Sequence, residues 1–245
     1  MNNTDFDNIV SEVKTSLDTS LNTENKNVLK NRKDSLLYVT LTKLLEFVQN
    51  PDEEALSLSL KNVHYKGVYS IPVRIGANNE LGRFFFSTKK IPPMAVQFHS
   101  HKYDLNIIPL YGKIVHYRLY PADYPKSSSD CYCYDRYEYS SGLNGSGEMK
   151  CIDSYPYSME SNILPIGSFI KLEHSDIHTM SCSKGSVWYV EEVEYKSNKS
   201  YFLGLPFSTS KFYEKIEIEE AKNILENIEL IILSLLENYK NEKCE

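Results

Sequence analysis

The sequence predicts a mainly β protein, a sandwich or barrel of short strands with helices at both ends. From about residue 62, runs rich in β-branched and aromatic residues alternate in hydropathy and are punctuated by Gly, Pro and Asn. Before that point apolar residues fall at three- and four-residue spacing, the period of an amphipathic helix. The C-terminal segment returns to the helical period.

In chain order, "TDFDNIVSEVKTSL" offers Thr4 and Asp5 as caps ahead of Ile9, Val10, Val13 and Leu17, a first helix. A second helix is expected over about 33–49, and Pro51 is expected to open a short third one. Residues 1–61 are therefore read as a helical extension packed on the barrel. Residues 62–215 form the barrel, with strands in "VYSIPVRIGA", "GRFFFSTKK", "MAVQFHSHKY", "LNIIPLYGKIVHYRLYP", "SFIKLEHSDIHTM" and "SVWYVEEVEY". Residues 121–161, rich in Ser, Gly and Tyr, read as an insertion between strands, with room for a hairpin and a candidate role as a lid. Residues 216–245 form an amphipathic helix with Leu225, Ile228, Ile232 and Leu235 on one stripe, widened by Leu236 and Tyr239. That stripe packs on the body or on a second subunit, so a homodimer is a candidate.

Composition excludes several classes of function. The 245 residues are 41% hydrophobic with a net charge of -6, so no global positive field attracts a nucleic acid. The start has no basic segment followed by an apolar one, so no signal peptide is expected. The longest apolar cluster, "IELIILSLLE", is far short of the ~20 residues a spanning helix needs. A cytoplasmic protein with no membrane partner is the expectation. The odd number of cysteines, without a double CxxC, argues against a disulfide framework or a zinc ribbon.

The chemistry concentrates in "VQFHSHKYDLN", residues 96–106. On a strand, alternation points His99 and His101 the same way, together with Gln97. Two imidazoles so placed can be neighbouring ligands of one ion, which then needs a third ligand from another strand. His64, His116, His174 and His178 are the remaining histidines.

These spacings resemble the two motifs of the cupin superfamily, β-barrels that hold a metal inside. The first motif reads G-x5-H-x-H-x3–4-E-x6-G. His99 and His101 fit it, Asn106 stands at the glutamate, Pro93 replaces the leading glycine, and Gly112 closes the motif one residue early. The second reads G-x5-P-x-G-x2-H-x3-N. Gly167 and His178 fit it, while Glu173, Ser175 and Cys182 depart from it.

The resemblance implies a jelly-roll (double-stranded β-helix) barrel over roughly 68–205 and a metal held by His99, His101 and His178, with Asn106 as a weak fourth ligand. Asp104 is a second oxygen donor with a poorer fit. The thiol dioxygenase branch of the cupins also lacks the glutamate, uses three histidines for ferrous iron, and has helices before its barrel. Fe(II) is therefore the expected cofactor, with Zn, Ni or Mn as alternatives. Neutral imidazoles suit iron, nickel, copper and zinc better than they suit magnesium or calcium.

For the remaining residues, Arg74, Arg83 and Arg118 are candidates to clamp a substrate carboxylate. Gln97, Tyr103 and Tyr111 are candidate polar pocket groups, and Tyr103, Arg118 and Gln97 are the leading catalytic candidates. Trp188 is either cavity wall or core. His174 is expected near the site or on the surface, His64 and His116 as structural residues, and Cys131 and Cys133 as thiols. The expected function is a non-haem iron oxygenase using O2 on a small polar substrate such as an amino acid or related carboxylate. A redox-neutral metal enzyme (isomerase, epimerase or lyase) and a non-catalytic ligand-binding barrel remain open.

Overall fold

The computed structural model describes residues 36–77, 79–122, 131–141, 147–204 and 213–241. The helix expected from Thr4 onward lies outside these residues. Helix α1 spans Leu36–Gln49, and α2 is a single turn at Glu53–Leu56. Asp52 caps α2, its carboxylate accepting from the Glu54 N–H at 2.8 Å and the Ala55 N–H at 3.3 Å. Pro51 thus precedes the cap instead of opening the first turn, because an Asp side chain can satisfy free helix N–H groups and a proline cannot.

Twelve strands follow: β1 Leu60–Lys61, β2 Val68–Ile75, β3 Leu81–Ser87, β4 Tyr103–Tyr111, β5 Ile114–Pro121, β6 Cys131–Ser141, β7 Gly147–Leu164, β8 Ile170–Leu172, β9 Ile177–Cys182, β10 Val187–Tyr195, β11 Lys199–Leu203 and β12 Glu214–Lys215. Helix α3, Ile218–Asn241, ends the described chain. The strands form a seven-stranded sheet, β12-β1-β2-β3-β10-β4-β8, and a five-stranded sheet, β11-β6-β7-β5-β9. Their ladders are antiparallel, and the two sheets face each other as a mainly β, jelly-roll-like barrel.

Alternation decides what each face meets. On β4, Leu105 and Ile107 enter the barrel core, while Ile108 and Leu110 join the cluster under the helices. On β10, Trp188 and Val190 point in and Val187 and Tyr189 point out; on β3, Phe85 points in and Phe84 and Phe86 point out. Both faces of this sheet are therefore covered, which is why "GRFFFS" and "NIIPLY" read as near-continuous apolar runs. The outer cover is α1 and α3. Leu41 and Leu44 from α1 and Ile228 and Ile232 from α3 are at most 2% exposed. Each such side chain stabilises the fold by about 1.5–3 kcal/mol. The C-terminal stripe is thus used up within the chain.

Two glycines of the motifs sit where a side chain is costly. Gly112, in the β4–β5 turn, has φ +81°, and a Cβ there would lie 2.9 Å from the Ser186 Cα. Gly167 has φ +73° and lies against the Leu37 side chain of α1. Only glycine adopts this left-handed backbone without penalty.

Within 121–161 the described residues include β6 and most of β7, which pair antiparallel. β7 pairs with β5 from Tyr157 to Leu164, and β6 pairs with β11. The end of the expected insertion, Tyr157–Ser161, thus belongs to the barrel sheet through its ladder with β5. No helix among the described residues is long and apolar enough to cross a membrane.

Candidate metal centre

The segment carrying His99 and His101 is extended but not a regular strand; it threads between β9 and β11. His99 and His178 exchange two backbone hydrogen bonds of 3.0 Å, and Ser100 donates to the Tyr201 carbonyl at 2.9 Å. The His101 N–H donates to the His174 carbonyl at 3.1 Å. Because His99 and His178 are directly opposed, their side chains leave on the same face, and His101 follows two residues on.

His99, His101 and His178 consequently converge. One ring nitrogen from each lies within 4.8 Å of the others. The Nε2 atoms of His101 and His178 are 2.8 Å apart. Two imidazoles ligating one ion side by side at about 2.1 Å place their nitrogens roughly 3 Å apart, so the spacing fits a shared metal. The ring orientations fit as well. His99 Nδ1 is 2.8 Å from the Gln97 carbonyl, which can only accept, so its proton sits on Nδ1 and the Nε2 lone pair is free. His178 Nδ1 also has a ring partner, since His116 Nε2 lies 3.0 Å from it. Both residues are buried, His116 at 6% and His178 at 3% exposure.

Burial holds all of these rings neutral, the form that binds a metal. Desolvation, with repulsion from His101 and the other histidines, pushes His178 well below the usual imidazole range; desolvation with repulsion from His99 does the same to His101. Desolvation lowers His99 too, against the opposing pull of the Gln97 carbonyl. Desolvation and the nearby Arg118 guanidinium bring His116 down to about 4. A neutral His116 can accept the His178 Nδ1 proton. The donor set, three neutral imidazoles with their second nitrogens partly anchored, fits iron, nickel, copper or zinc.

In front of the rings lies a cavity of about 80 Å³. Val68, Phe85, Leu105, Ile107, Trp188 and Val190 form much of its wall, so Trp188 serves as both core and cavity wall. His64 stands exposed at the mouth, its ring stacked on that of His99 at 5.1 Å. Its φ of +62° is left-handed, a strained state for a residue with a side chain.

Several expected site residues stand elsewhere. Asn106 lies on the opposite face of β4 from Leu105 and Ile107, and its amide reaches Glu191 Oε2 at 3.4 Å. Strand alternation thus turns it away from the histidines, and it cannot be a fourth ligand. Asp104 instead accepts from the His174 N–H at 2.9 Å. Tyr103 rests against Tyr195 beside an open groove with Glu80, not in the cavity. The Gln97 side chain reaches the Leu203 carbonyl at 3.3 Å, so its contribution to the site is its backbone carbonyl. Arg118 shares a register position with His178, but its guanidinium is bound to Asp176 and lies over Tyr120. Arg74 and Arg83 are paired with Glu191 and Glu192, each at 2.8 Å. Tyr111 packs under the helices. No described residue of β6 or β7 lines the cavity, and their ladder hydrogen bonds hold both strands in the sheet.

Sequence reasoning missed His116 and His64 as members of the site. The motifs do not include them, and β-strand parity between His116 and His178 becomes visible only once β5 and β9 are known to pair.

No protein-family model matches the chain, and no curated protein matches it. Among solved structures it is similar to hydroxypropylphosphonic acid epoxidase from S. wedmorenis in complex with fosfomycin, at 15% identity and a TM-score of 0.35. That match covers 58% of this chain and 57% of the epoxidase, so the chain matches little more than half of that enzyme's length. Hydroquinone 1,2-dioxygenase PnpCD, in complex with Cd2+ and 4-hydroxybenzonitrile, matches at 11% identity and a TM-score of 0.29, covering 50% of this chain and 62% of that one. An RmlC-like cupin from Shewanella frigidimarina matches at 11% identity and a TM-score of 0.22, covering 61% and 86%. Likeness this loose speaks to neither activity nor substrate. The barrel and its centre stand on the strand order and the histidine geometry.

Proposed function

We propose that this protein is a metal-dependent oxygenase of the cupin type that uses ferrous iron and O2 on a small molecule. One observation carries the reading: three neutral imidazoles converge on one point, with no carboxylate among them, in the wall of a mostly apolar cavity. Three nitrogen ligands on one side of an ion leave positions open for other molecules, the arrangement on which non-haem iron oxygenases depend. Ferrous iron, when bound, supplies the one-electron chemistry that O2 needs to react with an organic molecule.

The chain's own residues do the remaining work. His99, His101 and His178 hold the ion. The Gln97 carbonyl and His116 keep protons on the Nδ1 atoms of His99 and His178, so that both offer Nε2. The apolar wall excludes bulk water and so limits side reactions. Zinc, nickel or manganese in the same position would instead support redox-neutral chemistry. Nucleic acid and membrane are not expected partners of a mildly acidic chain with its site inside a barrel.

The test is metal analysis of protein purified without oxygen, followed by oxygen uptake with a panel of small molecules. Iron at one equivalent with substrate-dependent uptake is the expected result. Tight zinc or nickel without oxygen use would overturn the oxygenase reading. Absence of any metal, with His99→Ala leaving ligand binding intact, would overturn the metal centre itself.

A further inference from the structure

We propose that the cavity in front of the histidines takes a small uncharged molecule with an apolar body and a single metal-binding head. This excludes a substrate that carries a charge away from the metal, as an amino acid bound through one end would. The inference rests on the metal-centre reading above and adds the substrate class to it.

The three arginines considered as substrate clamps are already engaged, and no charged residue lines the cavity among the described residues. Arg74 binds Glu191, Arg83 binds Glu192 and Arg118 binds Asp176. Besides the three ligands, the wall residues with polar groups are Thr179, His64, Cys182 and Trp188, none of them charged. The Thr179 hydroxyl donates to the Val96 carbonyl at 2.8 Å, and His64 stands at the mouth. Cys182 faces the cavity as a thiol, since burial pushes its ionisation up. A carboxylate on the body of the molecule, out of reach of the metal, would lose its hydration and meet no cation in the wall. An ammonium would meet no carboxylate. Either charge, held against the wall away from the metal, costs several kcal/mol to bury unpaired.

Size narrows the class further. An apolar cavity of about 150 Å³ admits benzene. The present cavity is about 80 Å³, room for a body of only a few carbons. Such a molecule gains from the wall in proportion to its apolar surface, and from the metal through one donor atom.

The test loads the full chain with Co(II), whose visible spectrum reports each new ligand, and titrates it with thiols that share one head. 1-Propanethiol, 3-mercaptopropionate and 2-aminoethanethiol are of similar length and carry no charge, a terminal anion and a terminal cation. The expected result is binding of 1-propanethiol at least about a hundredfold tighter than either charged thiol, given the burial cost. From methanethiol to 1-propanethiol, affinity should rise about fourfold per added methylene. Equal or tighter binding of a charged thiol to the Co(II) protein would overturn the substrate class and leave the metal centre standing. No change in the Co(II) spectrum on adding protein, matched by His99→Ala, would overturn the metal centre and the substrate class with it.

Discussion

Replacing His116 tests whether this buried ring is part of the metal centre. Its Nε2 lies 3.0 Å from His178 Nδ1, and both residues are nearly sealed from water. His116→Ala leaves the His178 Nδ1–H without an acceptor in the interior, which costs about 1–3 kcal/mol. It also frees the ring to rotate or to adopt the other tautomer, in which Nε2 carries the proton and cannot ligate. Loss of such an outer partner weakens metal binding by about 10–100-fold, or about 1.4–2.7 kcal/mol. His116→Gln places an amide oxygen near the original Nε2 and should recover most of the loss. The assay is competition with a chelator for Zn²⁺ or Co²⁺, with melting of the metal-free protein as the control for folding. A folded His116→Ala protein that binds metal as tightly as the parent would refute the reasoning.

Four further outcomes are expected. Metal at a hundredfold excess over its dissociation constant should stabilise the chain by about 2.7 kcal/mol. At about 2–4 °C per kcal/mol for a chain of this size, that raises the melting temperature by about 5–10 °C, and no rise should be seen with His178→Ala. Asn106→Ala should leave metal affinity within about twofold in the same competition assay, since its amide meets only Glu191 in a long, weak contact. The metal-free protein should lose stability as pH falls from 6.5 toward 4: His116 titrates near 4 when folded and near 6.5 when unfolded, so protons bind the unfolded chain first. Denaturant melts across that window should show a loss on the order of 3 kcal/mol from this residue, at about 1.4 kcal/mol per unit; a flat profile contradicts its neutral burial. Gly112→Ala should destabilise the fold by more than about 1 kcal/mol, because the Cβ meets backbone atoms of Ser186 at a left-handed φ, and thermal melts will report it.

The local sequence determined much of this protein. Alternating and aromatic runs marked the strands, and the stripe from Leu225 to Tyr239 marked the C-terminal helix, because burial of one face imposes a period that one dimension can carry. The spacing of His99, His101 and His178, with Gly112 and Gly167 beside them, was also legible. Those turns need glycine, and those side chains must emerge from neighbouring strands. What the tertiary structure decided is which face each residue meets. Asn106 stands at the motif position of a ligand, yet the pleat of β4 turns it toward Glu191. Arg118 aligns with His178 across the ladder, yet Asp176 holds its guanidinium. Conversely, His116 joins the centre only because β5 pairs with β9. The apolar character of the cavity is likewise a sum over residues from several strands, far apart in sequence and set side by side only by the closure of the barrel.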